Sequence, residues 1–144
     1  NSLQPKEARK KGSEIRKAFV SAIEGLSELL GAVAAKSANG FLLACDGRRV
    51  LVDSPHKALN YLLQCSAGIV AKRWMVIANA GLQQFHTHQL AFVHDELQYE
   101  CRPYEAFGVR TILKDSARLA GEYYQLRCPI AAETKEGLTW NDVH

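Results

Sequence analysis

Apolar positions in the first quarter of the chain recur every three or four residues. Ile15, Phe19, Ile23, Leu26, Leu29, Leu30 and Val33 form one stripe, which predicts a helix over 6–36. Gly12 and Gly25 fall inside that stripe and mark places where it can break or bend. Ala38-Asn39-Gly40 closes it with turn residues. The period then changes to two. Phe41–Cys45 and Arg48–Val52 are strand-like runs separated by Asp46-Gly47, the sequence of a tight hairpin turn. Asp53-Ser54-Pro55 supplies a cap and a first-turn proline, and a second helix follows over about 56–78. Leu59, Leu62, Leu63, Ile69, Val70 and Trp74 provide its apolar contacts.

The stretch 79–89 is polar and reads as a surface loop holding His86-Thr87-His88. An HxH pair binds metal only when further ligands converge on it, and the sequence identifies none. Leu90–Val93 is an apolar run that stops at His94-Asp95-Glu96. Alternation then resumes, with Leu97, Tyr99 and Cys101 on one face and Gln98 and Glu100 on the other. Two strands joined by a turn, with three ionisable residues at the tip, account for this pattern. Pro103 opens a third helix, with Ala106, Phe107, Ile112, Leu113, Ala117 and Ala120 on its apolar side. Phe107, Tyr123 and Tyr124 read as core. A short strand over 125–130, edged by Pro129, and a polar tail carrying Trp140 complete the chain. These elements predict an α+β fold: a small antiparallel sheet with helices on one face, preceded by a helical segment.

Composition refines this only slightly. At 144 residues, 47% hydrophobic and 23% charged, the chain is one domain's worth of globular protein or part of a larger one. No apolar run approaches the ~18 residues of a membrane helix, and no leader-like apolar segment follows the polar start. The four cysteines, Cys45, Cys65, Cys101 and Cys128, form no CxxC pair, which argues against a zinc site or redox motif and for buried, reduced thiols. Net charge is +3 with a pI near 8.7, a balance compatible with nucleic acid without requiring it. Lys10, Lys11, Arg16 and Lys17 make the first helix locally basic, and Arg48 and Arg49 sit just past the first hairpin turn.

Three features carry candidate chemistry. Asp95 and Glu96 on a rigid hairpin tip are suited to a divalent cation, because Mg²⁺ takes oxygen ligands and ordinarily one or two protein carboxylates. His56, Asn60 and Gln64, at i, i+4 and i+8, stack on one side of a helix. Small residues Ala67, Gly68 and Ala71 continue about the same side, which another body can approach closely. Neutral hydrogen-bonding side chains in register can address minor-groove acceptors, which look alike for A·T and T·A pairs.

Val93-His94-Asp95-Glu96 resembles the His-Asp-Glu signature, motif C, in the palm of family A DNA polymerases. Ser54-Pro55-His56-Lys57-Ala58-Leu59-Asn60, continuing through Gln64 to Gly68, resembles the palm helix of the phage-type members. Asp46-Gly47-Arg48-Arg49 resembles the hairpin that enters that helix. The motifs occur in family order at about family spacing, although 79–89 is short for the phage enzymes. A Trp a few residues before a terminal His is also similar, and marks His144 as the expected natural C-terminus.

The resemblance implies a DNA-directed DNA polymerase using Mg²⁺, primer–template DNA and deoxynucleoside triphosphates, in the cytoplasm of a bacterial or phage-infected cell. Residues 1–38 would be the end of the fingers and 39–144 the C-terminal part of the palm. Asp95 would be a metal ligand, with Glu96 beside it in a supporting role. His94 would touch the primer terminus, and His56, Asn60 and Gln64 the minor groove; Arg48 and Arg49 are candidates for the phosphate backbone from their place just past the hairpin turn rather than from the resemblance. The family's second metal-binding Asp and its fingers Lys and Tyr belong to upstream motifs, and no Lys-x₃-Phe-Gly-like stretch occurs here. The chain by itself is therefore expected not to polymerise without its N-terminal complement. The alternative is a non-catalytic palm-derived module that binds duplex DNA or a partner chain. A small phosphoesterase using Asp95 and Glu96 alone has too few convergent ligands.

Overall fold

The computed structural model describes residues 4–143. Its backbone divides into two compact units. One comprises the chain up to Leu42 together with Arg49–Leu62, and the other comprises Leu43–Arg48 together with Leu63 onward.

In the first unit the predicted single helix is two: α1 (Pro5–Ala22) and α2 (Leu26–Ser37). Gly12 is accommodated within α1. The break falls at Gly25, whose φ of 78° is left-handed backbone that glycine adopts without steric cost, and the helix direction turns by 104°. The apolar stripe is divided accordingly. Val33 is buried, whereas Ile15 and Phe19 are 60% and 61% exposed and α1 buries no side chain. Glu7 and Glu14 interleave with Lys10 and Lys11 along α1, but with Lys6, Arg9, Arg16 and Lys17 the helix stays strongly basic.

Strands β1 (Phe41–Leu43) and β2 (Arg49–Leu51) form the first hairpin. The Ala44 N–H donates to Arg48 O at 2.9 Å, leaving Cys45-Asp46-Gly47 as a three-residue loop whose last residue has φ 82°. This is a turn followed by a left-handed glycine, one of the common hairpin solutions. Val33, Leu42 and Ala58 form the unit's core with Val52, Leu59 and Leu62 against them. The Tyr61 hydroxyl donates to Asp53 at 2.9 Å.

Helix α3 (Ala58–Gly81) starts later and ends later than its pattern suggested. Pro55–Lys57 is a 3₁₀ turn, so His56 precedes the α-helix. At the other end, a 3₁₀ turn over Leu82–Gln84 and then strand β3 (Thr87–Val93) occupy the stretch read as a surface loop. Leu82 is buried and Phe85 packs on the core; two apolar residues among polar ones were enough to anchor it.

In the second unit, β3 pairs antiparallel with β4 (Glu96–Cys101), with an irregularity at Leu90, between Gln89 and Ala91. The two hairpins are separate two-stranded sheets rather than one sheet. Helix α4 (Ala106–Tyr123) follows a 3₁₀ turn at Pro103–Glu105. Ala78, Leu82, Val109 and Leu113 form the core, covered by Trp74, Phe85, Tyr99, Cys101 and Ile112. Burial pushes the Tyr99 hydroxyl and the Cys101 thiol above their ordinary pKa values. The Trp74 indole donates to Leu113 O at 2.8 Å, joining α3 to α4.

Two readings of the C-terminal third are corrected. Residues 125–130 form no strand. Gln125, at φ 53°, follows the end of α4; its N–H donates to Glu122 O, and that of Leu126 to Gly121 O. These two bonds close the helix as a Schellman motif, and the chain leaves it irregularly. Phe107 is 80% exposed and Tyr123 59%, so neither is core. Leu63, assigned to the apolar contacts of α3, is also exposed. The tail returns over α4, with Ile130 against Gly121 and Arg110 contacting Thr134 and Glu136, and ends in the helical turn α5 (Trp140–Val143). Residue 144 lies outside the described residues.

Candidate nucleic-acid and metal-binding site

The second hairpin turns over two residues. Val93 pairs with Glu96, leaving His94 and Asp95 between them. Of these, only His94 has positive φ, at 55°. A two-residue turn of that hand normally places glycine first, because its twist matches that of the strands. Histidine tolerates the left-handed region better than most residues but still bears a steric cost there. Both turn side chains are exposed.

Glu96, placed at the tip from its pattern, is the first residue of β4 and half-buried. The Gln98 amide donates a hydrogen bond to its carboxylate, the two side chains sharing one strand face. On the other face Tyr99 and Cys101 enter the core. The Tyr99 hydroxyl donates to Gln89 Oε1 at 3.2 Å, and the Gln89 amide reaches the Met75 sulfur of α3 at 3.2 Å. The tip is therefore carried on strands fastened to the helical layer. Gln98, which orients Glu96, is a participant the alternation alone did not identify.

The polar stripe is divided between the two compact units. His56 and Asn60 belong to the first and Gln64 to the second. All three are exposed. A Cβ added at Gly68, one turn beyond Gln64, would meet no atom within 4 Å.

Arg48 and Arg49 both have internal partners. Arg48 donates to Asp46 through its backbone N–H at 3.1 Å and its guanidinium at 2.7 Å. Partial desolvation opposes ionisation of Asp46, but Arg48 more than offsets it and holds the carboxyl below its usual range. The Arg49 guanidinium lies 4.6 Å from the centre of the Phe41 ring.

The histidine pair is also divided. His86 Nδ1 and its backbone N–H lie 3.3 Å and 3.2 Å from Glu105 Oε1, whereas His88 lies within β3 and pairs across to Glu100. Among the described residues no three metal-ligating side chains converge. The hairpin tip thus offers Mg²⁺ an oxygen donor set of one or two carboxylates. That suits a cation completing its shell with water and phosphate oxygens, but it does not make a closed site.

The sequence profile of DNA polymerase family A matches residues 44–142. The chain is 31% identical to the DNA-directed DNA polymerase of Enterobacteria phage T3 over 160 aligned positions, covering 94% of this chain and 23% of that one. It is 28% identical to the polymerase of Escherichia phage Phieco32, covering 92% and 23%. It therefore spans about a quarter of the length of these curated relatives. A solved structure of the POL domain of Pol1 from M. smegmatis, in complex with DNA primer-template and dNTP, superposes with a TM-score of 0.74. That match covers 84% of this chain and 24% of the other at 21% identity, a likeness of fold. With 99 of its 144 residues inside the matched span, the chain belongs to DNA polymerase family A.

Proposed function

We propose that this chain supplies the C-terminal part of the palm of a DNA-directed DNA polymerase, with 1–38 as the end of the fingers and 39–144 as palm. The reading is carried by one conjunction. The family profile spans the second hairpin, and His94-Asp95 stands exposed there on a two-residue turn held by core-anchored strands.

In this reading Asp95 holds a divalent ion and Glu96, oriented by Gln98, supports it directly or through water. When bound, a pair of Mg²⁺ ions supplies charge stabilisation to the attacking and leaving oxygens of nucleotidyl transfer. The chain's own residues bind and position. His94 contacts the primer terminus, while His56, Asn60 and Gln64 follow the minor groove of correctly paired duplex. The open surface at Gly68 leaves room for the duplex to approach. Arg48 and Arg49 reach the backbone by exchanging their internal partners for phosphate oxygens. The remaining ligands come from the rest of the polymerase, whether continuous with this chain or separate.

The test is primer extension with Mg²⁺. The chain alone should incorporate nothing. Combined with the polymerase portion N-terminal to it, synthesis should appear and be lost in Asp95→Asn. Incorporation by the isolated chain, or reconstituted synthesis indifferent to Asp95→Asn, would overturn the reading.

A non-catalytic duplex-binding module is the second reading, favoured by the absence of three converging metal ligands among the described residues. It predicts that the reconstituted mixture binds primer–template without extending it.

A further inference from the structure

Helix α1 carries an apolar face that no layer covers among the described residues. Ile15 and Phe19 are 60% and 61% exposed, and Ile23, at the helix end, is 45% exposed. Ala8 and Gly12 continue the same line toward the N-terminus at three- and four-residue steps. A Cβ added at Gly12 would meet no atom within 4 Å, so the line is open there too. The helix is 18 residues long, and no side chain caps its N-terminus. Helices of that length are marginal in water on propensity alone, and in folded proteins most of their stability comes from what packs on the amphipathic face. The face of α1 is therefore short of a partner.

The charges around that face say what kind of partner fits. At about 100° per residue, Arg9 and Arg16 stand on one shoulder of the apolar line and Lys11 on the other, each within about 80° of its centre. Glu7 and Glu14 fall about 120° or more away, on the back of the helix. Among the described residues none of the three shoulder cations is paired with a carboxylate. An apolar seam between charged shoulders is the layout of one member of a helix pair, in which the shoulder charges set the choice of partner. A second copy of this chain would bring the same positive shoulders and be repelled. A phosphate backbone would use the cations but has no use for Ile15 and Phe19 between them. A membrane surface holds an amphipathic helix in proportion to the apolar area it buries. Here the line narrows from Phe19 and Ile15 to Gly12 and Ala8, which gives a lipid surface little area but lets a neighbouring backbone come close.

We propose that this face docks an amphipathic helix with acidic shoulders, contributed by the polymerase portion N-terminal to this chain. Ile15 and Phe19 fill its seam, and Arg9, Lys11 and Arg16 pair with its carboxylates. The source of the helix rests on the polymerase reading, in which a chain spanning 23% of its phage T3 relative has most of a polymerase left to pack against it. The uncovered face and its charged shoulders stand independently of that reading.

The test has two arms. In the first, the full 144-residue chain is titrated, by fluorescence anisotropy, into a labelled synthetic helix with leucines at three- and four-residue steps and glutamates on both shoulders. The same helix with lysine shoulders is the control. The glutamate helix should bind at least about tenfold more tightly than the lysine helix. Phe19→Glu should weaken its binding at least about tenfold. Arg9→Glu combined with Arg16→Glu should reverse the preference, which an unfolded variant could not do. All three positions are exposed, so these variants should keep the wild-type melting curve. Equal binding of the two helices, or wild-type affinity in Phe19→Glu, would overturn the proposal. So would Phe19-dependent binding of duplex DNA or of phosphatidylglycerol vesicles as tight as that of the glutamate helix. In the second arm, reconstituted primer extension, Phe19→Glu should raise the half-saturating concentration of the N-terminal portion at least about tenfold and leave the rate at saturation unchanged. An unchanged half-saturating concentration would overturn the assignment of the helix to that portion. Asp95→Asn acts instead on the rate at saturation. Absence of synthesis at any concentration of the complement counts against the polymerase reading, while the first arm still decides the surface.

Discussion

His94→Gly separates the mechanical role of the hairpin tip from its chemical one. His94 is the first residue of a two-residue turn and has φ 55°. For an L-residue that backbone costs roughly 1–2 kcal/mol relative to right-handed conformations, and for glycine almost nothing. Glycine gives back part of the gain, because its unfolded chain has more freedom, by roughly 0.5–1 kcal/mol. His94→Gly should thus stabilise the fold by about 0.5 kcal/mol, whereas His94→Ala keeps the strained φ and gains nothing. The two variants should differ by about 0.5–1 kcal/mol, or about 1–4 °C in melting temperature for a chain of this size. The comparison uses urea and thermal denaturation of wild type, His94→Gly and His94→Ala. Primer extension by the reconstituted polymerase then reads chemistry: both variants lack the imidazole, so both should lose at least about tenfold in rate although only the glycine variant gains stability. An alanine variant as stable as the glycine variant would refute the strain argument. Full activity in either would refute the role assigned to the side chain.

Other sites lead to equally direct measurements. Gln125 occupies the left-handed position after α4, φ 53°, with both Schellman hydrogen bonds in place, so Gln125→Gly should raise stability by about 0.5–1 kcal/mol in urea denaturation. Gly108 faces the Phe85 ring so closely that an added Cβ would lie 2.7 Å from it. Gly108→Ala should therefore lower stability by about 1–3 kcal/mol, with Phe85→Leu in the same chain restoring part of the loss. Desolvation alone would raise the Glu105 pKa, but hydrogen bonds from the His86 backbone and ring, with the charges of His86 and Arg102, hold it below its ordinary 4.5. A depressed carboxylate contributes stability above 4.5 that is lost as pH falls through the lower folded-state value. Glu105→Gln should consequently flatten the denaturation midpoint against pH in that acid window and leave its shape near neutrality unchanged.

Local pattern was sufficient wherever a residue's role depends on its near neighbours. The second hairpin was legible because apolar-polar alternation over 97–101 can place Tyr99 and Cys101 inward in only one register. The first was legible because Asp46-Gly47 has few alternatives between two strand-like runs. The Asp95 turn and the Asn60–Gln64 spacing likewise follow from chain order. What failed were statements about which apolar residues find partners. Phe107 and Val109 lie on the same helix and are both apolar, yet one is exposed and the other buried, because only Val109 faces Leu82 and Leu113. Ile15 and Phe19 belong to a well-formed stripe that no layer covers among the described residues. The stretch 125–130 has strand composition, but the N–H groups of Gln125 and Leu126 are taken by the end of α4 and Pro129 has none to give, so its backbone follows the helix end instead.

The sequence by itself therefore determined most of the elements and the two hairpins, and carried the resemblance to the family whose profile the chain matches. These depend on periods, caps and turn residues acting over a few positions. Only the tertiary structure decided that Glu96 belongs to a strand and is held by Gln98, and that both arginines of the first hairpin have internal partners. It alone left the Ile15 and Phe19 face of α1 uncovered among the described residues. Those are matters of which residues meet, and no periodicity in a chain records where its distant parts come together.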